Sequence, residues 1–180
     1  TLWHTLSLHD ALPIWDVDIL RVGLLTIGNE LLSGVTVNTN AAWLGQQLLL
    51  NGFPVRTSLV VGDPVDEIKR GLDALWNQHD VVITTGGLGP THDDRTVEVI
   101  ADYFNSDLAF HEKTFERLKS RLSKRDIEIT ERHREQCMLP VDAEIIPNRH
   151  GTAPAMYFEK DGRHAFCLPG VPHEMKNMVS

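Results

Sequence analysis

Residues 81–96, VVITTGGLGPTHDDRT, restrict what this chain can become more than any other stretch. Val81, Val82 and Ile83 form a short apolar, β-branched run of the kind found in a buried strand. The run stops at Thr84, Thr85, Gly86, Gly87, Leu88, Gly89 and Pro90, which are too small and too glycine-rich to continue a sheet. Thr91 then reads as a helix N-cap, with Asp94 following in the first turn and a helical pattern beyond it. Strand, glycine turn and helix start, in that order, make a phosphate site in α/β proteins. Glycines let the backbone approach the ligand, and unpaired N–H groups at the helix start point at an anion.

Asp93 and Asp94 change the ligand that fits. Carboxylates suit a helix N-terminus, by about 0.3–1 kcal/mol each. A phosphate about 4 Å from one of them is repelled by about 4 kcal/mol at an effective dielectric near 20. Repulsion wins unless a cation sits between, so the pattern predicts a phosphate held together with a divalent metal. The alternative is an Asp pair that only caps the helix.

A chain of 180 residues holds one domain, or one domain and a stub. The net charge of −8, from 17 Lys+Arg and 25 Asp+Glu, disfavours nucleic-acid binding unless the basic residues cluster. No apolar run is long enough to span a membrane. Cys137 and Cys167 form neither a CxxC nor a zinc pattern, and read as reduced thiols of a cytoplasmic protein. The histidines are scattered, with no HxH or HExxH.

The rest of the chain spells an α/β fold. Residues 20–27 read as a first central strand, ending in Gly28-Asn29-Glu30. Residues 38–51 read as a helix, with Asn40 as N-cap and Ala42, Leu44, Leu48 and Leu49 turned inward. A strand at 55–61 ends in Gly62-Asp63-Pro64, and a helix follows at 65–77 with Ile68, Leu72, Leu75 and Trp76 at helical spacing. The strand at Val81 leads to a third helix from about Asp93 to Phe104. Alternating strands and helices predict a doubly wound, mainly parallel sheet. Residues 111–125 form an amphipathic helix with Phe115, Leu118 and Leu122 on one face. Its Lys and Arg residues suit an acidic partner, but Glu112, Glu116 and Asp126 interleave them as on a solvated surface. A short helix is expected at 130–138, strands at 143–146, 155–159 and 164–168 with a turn at Lys160-Asp161-Gly162, and a helix from His173. Residues 1–15, TLWHTLSLHDALPIW, fit neither a signal peptide nor a clean period. They resemble translated sequencing-adapter sequence and are expected to lie outside the native domain, which is read as 16–180, cut inside its last helix.

Three further segments are placed to meet the central turn, because ligands of open α/β sheets lie beyond the carboxyl ends of the strands. They are Glu30, the small-residue turn Gly151-Thr152-Ala153-Pro154, and the turn-then-helix from Pro169 to Glu174. In order, GNELLSGVTVNTN (28–40), TTGGLGPTHDDRT (84–96), NRHGTAPAM (148–156) and LPGVPHEM (168–175) closely resemble the amino-terminal domain of the competence/damage-inducible protein CinA family, a branch of the molybdopterin-binding, MogA/MoeA-like superfamily. The resemblance runs from about Leu20 to the end and excludes residues 1–15. Two departures stand out. Asn29 replaces the aspartate of the usual GDEL, which would weaken metal binding if that aspartate is a ligand, and Arg149-His150 replaces a Pro-Val-like pair.

The resemblance implies a three-layer α/β/α sandwich with a strand-end site for a nucleotide or pterin pyrophosphate. It implies metal-dependent cleavage of ADP-ribose to AMP and ribose 5-phosphate, with FAD hydrolysed by some relatives. It also implies a homo-oligomer. A further domain that deamidates nicotinamide mononucleotide lies, in some members, beyond the point reached here. The residues then take these parts. Asp93, Asp94 and Glu30 serve as catalytic and metal-holding carboxylates for Mg, Mn or Co. Thr85, the backbone of Gly86, Gly87, Leu88 and Gly89, and Thr91 hold one phosphate. Asn38 and Asn40 bind ribose or base, and Gly151, Thr152, Pro169, Gly170 and Pro172 the second phosphate. Competing readings are a molybdopterin adenylyltransferase or molybdate-insertion enzyme, and a non-catalytic nucleotide-sensing module. DNA binding has only the family's competence name in its favour.

Overall fold

A computed structural model describes residues 20–89 and 95–179. The hydrophobic strand runs become six strands of one sheet. In chain order these are β1 (Val22–Ile27), β2 (Val55–Val61), β3 (Val81–Thr85), β6 (Glu144–Ile146), β7 (Ala155–Lys160) and β8 (Arg163–Leu168), joined in the order β2-β1-β3-β8-β7-β6. Strands β2, β1, β3 and β8 pair in parallel, while β7 runs antiparallel to both β8 and β6. The mainly parallel sheet inferred from the alternating pattern is therefore present, with an antiparallel hairpin added at one side. Asp161 and Gly162 turn that hairpin, both at positive φ (54° and 71°), the pairing that a two-residue turn requires.

Every residue of β1 and of β3 is buried, as expected of strands covered on both faces. Alternation splits the core in two. On one face Leu25, Ile27 and Val82 pack with α3 (Val65–Trp76) and α4 (Thr96–Phe104) through Ile68, Leu72, Leu75, Val99 and Ile100. On the other, Val22, Leu24, Val81 and Ile83 pack with α2 (Thr39–Leu50) and α7 (Pro172–Val179) through Leu44, Leu48, Met175 and Met178. These are the three layers. The helices α2 and α3 lie on opposite faces because β1→α2→β2 steps to one side of β1 and β2→α3→β3 steps back past it, with right-handed crossovers. The sheet order thus reverses between β1 and β3.

A satellite unit sits beside the sheet. Strands β4 (Leu108–Phe110) and β5 (Met138–Pro140) pair antiparallel, and α5 (Glu112–Ser123) and α6 (Glu131–Glu135) lie between them in sequence. Phe115, Leu118, Leu122 and Cys137 form its own small core. Arg134 lies over the rings of Phe110 and Phe115, at 5.0 and 5.1 Å.

Several local expectations are corrected. Asn38, not Asn40, caps α2: its side chain accepts from the Ala41 N–H at 3.1 Å. Ala42 and Leu49 face solvent, and Leu44 and Leu48 alone of the expected inner set are buried. The helix expected at 130–138 ends at Glu135, because Met138 to Pro140 are taken up by pairing with β4, a strand whose three residues carry too little pattern to be read. Helix α4 starts at Thr96 with Arg95 in the cap position, later than the sequence pattern placed it. A four-residue helix, α1 (Asn29–Leu32), follows β1 without having been foreseen. Residues 1–15, and Pro90, Thr91, Asp93 and Asp94, for which roles were expected, lie outside the described residues.

Candidate functional site

The reversal between β1 and β3 opens a crevice of about 770 Å³ beyond their carboxyl ends, the position where open α/β sheets take ligands. One wall is Gly28 to Leu31 and Thr36 to Asn40, which follow β1. The second is Thr85 to Gly89, which follow β3. Asp63, after β2, and Gly170 to Pro172, after β8, complete it.

The glycine turn is dictated by space. Gly86 has φ 120°, and a Cβ there would collide with the carbonyl oxygen of Ile27. Gly87 has φ 65°, and a Cβ there would meet Thr96 Oγ1. Both positions therefore exclude any side chain. The Gly86 N–H donates to Leu168 O at 3.3 Å and ties the turn to β8. The N–H groups of Gly87, Leu88 and Gly89 have no partner among the described residues. Of the four amides expected to hold a phosphate, three are unpaired among the described residues and that of Gly86 is committed.

Asn38 and Asn40 build the wall instead of reaching outward. Asn40 is 7% exposed. Its Nδ2 donates to Thr85 Oγ1 at 3.1 Å and to Gly170 O at 2.7 Å, and Thr85 Oγ1 donates onward to Pro169 O at 3.0 Å. One side chain of α2 thus pins the end of β3 to the turn before α7. Asn40 Oδ1 is buried with no partner among the described residues. Asn38 Nδ2 donates to Thr26 Oγ1 at 3.1 Å, so its amide too is spent internally.

Among the described residues Glu30 and Asp63 are the carboxylates on the crevice wall, and no described Lys, Arg or His lines it. Glu30 is exposed. Asp63 Oδ2 accepts from the Asn29 N–H at 3.0 Å, while the Asp63 N–H donates to Asn29 Oδ1 at 3.3 Å. Asn29 and Asp63 therefore clasp each other across the ends of β1 and β2. Asp63 was not singled out from sequence. Gly62-Asp63-Pro64 ends a strand adjacent to β1, and the strand-end rule that selected Glu30 also reaches it.

Glu30, Asn38, Asn40, Thr85, Gly86, Gly87, Leu88, Gly89, Gly170 and Pro172 all line this crevice. Pro169 contributes its carbonyl to the Thr85 bond and is not on the wall. Gly151 and Thr152 are not brought here; they line a separate cleft with α5. Thr91, Asp93 and Asp94 lie outside the described residues.

The donor set suits a hard cation. Glu30 and Asp63 supply only oxygen ligands, and no group of three or more His, Cys, Asp or Glu among the described residues forms a closed metal cage. Magnesium-like ions fit such an open arrangement, since they take one or two carboxylates and complete their shell with substrate phosphates and water.

Comparison with known proteins agrees with this geometry. Residues 23–180 match the family described as "Probable molybdopterin binding domain". A relative from Clostridium botulinum (strain Loch Maree / Type A3), named as a competence-damage inducible protein, is 42% identical over 159 residues, 88% of this chain. The chain spans 39% of that relative's length. The crystal structure of the protein CinA from Thermoplasma acidophilum, titled as of unknown function, superposes with a TM-score of 0.80 at 36% identity, covering 88% of this chain and 93% of that one. The tungsten cofactor synthesizing protein MoaB from Pyrococcus furiosus shares the fold, with a TM-score of 0.56 at 20% identity over 91% of this chain and 90% of that one. With its strand-end crevice, its glycine turn and these relatives, the chain belongs to the probable molybdopterin binding domain family, as a CinA-type member.

Proposed function

We propose that the crevice between β1 and β3 binds a nucleotide diphosphate and, with a divalent metal, hydrolyses its P–O–P bond, converting ADP-ribose to AMP and ribose 5-phosphate. The observation that carries this reading is the pairing of three unpartnered turn amides, Gly87 to Gly89, with the Glu30 and Asp63 carboxylates in one crevice that no basic side chain among the described residues lines. The amides are anion receptors. The carboxylates repel a bare diphosphate by several kcal/mol at contact, roughly the figure for two charges about 4 Å apart. Both facts hold together when a cation lies between carboxylate and phosphate.

The amides of Gly87, Leu88 and Gly89 fix the phosphate nearest β3. Glu30 and Asp63 hold the cation, with Asp93 and Asp94 as further carboxylates. A divalent ion, when bound, would supply positive charge against the diphosphate and Lewis acidity toward water. Glu30, exposed on the crevice wall, accepts the proton of the attacking water. The new bond joins water oxygen to one phosphorus; the bridging oxygen leaves with the other phosphate. Asn40 serves indirectly, by holding Thr85 and Gly170 in register. The protein works as a cytoplasmic homo-oligomer in this reading; no helix among the described residues is long and apolar enough to cross a membrane.

AMP release from ADP-ribose, with FAD in parallel, tests the proposal across Mg²⁺, Mn²⁺, Co²⁺ and chelator. Wild type is compared with Glu30→Gln, Asp63→Asn, Asp93→Ala and Asp94→Ala. Turnover that needs metal and falls at least about tenfold in a carboxylate variant supports it. Tight ADP-ribose binding without turnover under any metal would establish a sensing module instead, and adenylyl transfer from ATP to a pterin would establish the cofactor-synthesis reading.

A further inference from the structure

Helix α5 and residues 147–154 enclose a second cleft of about 540 Å³. Arg117, Arg121, Lys124, Arg125 and Arg149 line it, and no Asp or Glu among the described residues does. In a chain of net charge −8 this concentration of one sign is a local construction. On the helix alone these cations read as a solvated face interleaved with acids. The fold changes that reading, because Glu112 and Glu116 lie off the cleft and Arg149 joins from a different segment.

The cations are available. Arg117, Lys124, Arg125 and Arg149 make no ion pair with any described residue. Arg121 is oriented by donating from Nη1 to Gly151 O at 2.6 Å. The opposite wall is held in place too. Asn148 Oδ1 accepts from the N–H groups of His150 and Gly151, both at 2.8 Å, and its Nδ2 donates to Glu174 Oε2 at 2.6 Å. Thr152 Oγ1 accepts from Gln136 Nε2 at 3.2 Å, which leaves its own proton to donate. Like charges gathered around a concavity raise one another's free energy, and a polyanion relieves them. Guanidinium groups also match phosphate oxygens in a bidentate fork.

We propose that this cleft is a second anion site, which takes a small polyphosphate, a ligand with linked phosphate groups, without a metal. Its volume lies in the range of small-ligand pockets. Acidic residues elsewhere on the same unit (Glu112, Glu116, Asp126, Glu128, Glu131 and Glu135) oppose the extended phosphate backbone of a nucleic acid. The assignment stands without any turnover in the β1–β3 crevice.

The test is calorimetric titration of inorganic tripolyphosphate into the full chain, in chelator and about 0.1 M salt, where the screening length is about 10 Å. Wild type is compared with a triple variant, Arg117→Gln, Lys124→Gln and Arg149→Gln, all at exposed positions. Saturable one-to-one binding, weakened at least about tenfold in the triple variant, is expected. The unliganded melting temperature should stay level or rise, since repelling charges are removed. If it falls, Arg149→Gln alone gives the same reading, at roughly threefold. Equal affinity in wild type and variant, or no saturable binding by wild type, overturns the proposal. So does inorganic phosphate binding as tightly as tripolyphosphate, or a single-stranded oligonucleotide binding far more tightly through the same residues.

Discussion

Asn40→Asp probes the joint that holds the crevice together, because it keeps the shape and removes the donors. Asn40 Nδ2 now donates to Gly170 O at 2.7 Å and to Thr85 Oγ1 at 3.1 Å, at a position 7% exposed. A carboxylate there sets oxygen against the Gly170 carbonyl oxygen with no proton between them. The Thr85 hydroxyl can turn to the carboxylate only by leaving Pro169 O, its present acceptor at 3.0 Å. The change therefore removes two hydrogen bonds of about 1 kcal/mol each, leaves a buried acceptor unpaired at about 1–3 kcal/mol, and buries a charge without a counter-charge. A loss of about 3–5 kcal/mol near neutral pH follows. That lowers the melting temperature by roughly 6–20 °C at about 2–4 °C per kcal/mol. Protonation restores a donor to the carboxyl group. Its folded-state pKa is therefore raised above the unfolded value of about 3.9, by about one unit for each 1.36 kcal/mol. The charge-linked part of the destabilisation is full above the raised value, shrinks as pH falls through it and is gone below about pH 4, where the loss of one hydrogen bond, about 1 kcal/mol, persists because the carboxyl group has one proton to donate and the amide had two. Thermal unfolding of wild type, Asn40→Asp and Asn40→Ala at several pH values reads this out, with Asn40→Ala losing about 2 kcal/mol at every pH. An Asn40→Asp deficit that is absent near pH 8, or equal near pH 8 and pH 4.5, would refute the reasoning.

Gly86→Ala forces a Cβ into the Ile27 carbonyl oxygen at φ 120°; a loss of at least about 3 kcal/mol is expected, and a melting temperature within about 3 °C of wild type would show that the turn relaxes freely. Burial pushes the Cys167 thiol up to about 12 and the Cys137 thiol up to about 11. A thiol reagent at pH 8 should therefore label neither until denaturant is added, and fast native labelling would contradict both burial and shift. The Asp80 carboxylate is held below its ordinary range by the Arg21 guanidinium, which contacts Oδ1 at 2.9 Å and Oδ2 at 3.1 Å. Its contribution is present above the unfolded pKa and lost as pH falls through the lower folded one. Asp80→Asn, at a partly exposed pair, should cost about 0.5–1 kcal/mol at pH 7 and nothing near pH 2, as checked by urea unfolding at both.

Much of the fold was legible because burial on both faces leaves an unmistakable mark. Residues 22–27 are apolar nearly throughout and 81–83 wholly so, and both runs became central strands, although β3 continues through Thr84 and Thr85, where the apolar run was read as stopping. Ile68, Leu72, Leu75 and Trp76 at helical spacing all reached the core. Short elements left no such mark. Strands β4 and β5 have three residues each, and Met138 of β5 was read as the end of a helix because pairing partners far apart in sequence are invisible locally. Asn38 and Asn40 stand two residues apart with the same chemistry. Which one caps the helix and which one turns inward is settled by where Thr85 and Gly170 lie.

The sequence by itself determined the alternating α/β pattern, the glycine turn after β3 and a carboxylate after β1. Each depends on neighbours within a few residues: apolar runs, the missing Cβ of glycine, the end of a strand. Tertiary structure alone decided which strand ends share a crevice. The order β2-β1-β3-β8 brings Glu30, Asp63, Gly87 and Gly170 together from four separate segments. It also sent Gly151 and Thr152 away from that crevice to a wall of arginines, although their sequence had the same small-residue signature as the site. Local chemistry is written along the chain, but adjacency comes from strand order and helix packing, and these are fixed by burial of both sheet faces at once.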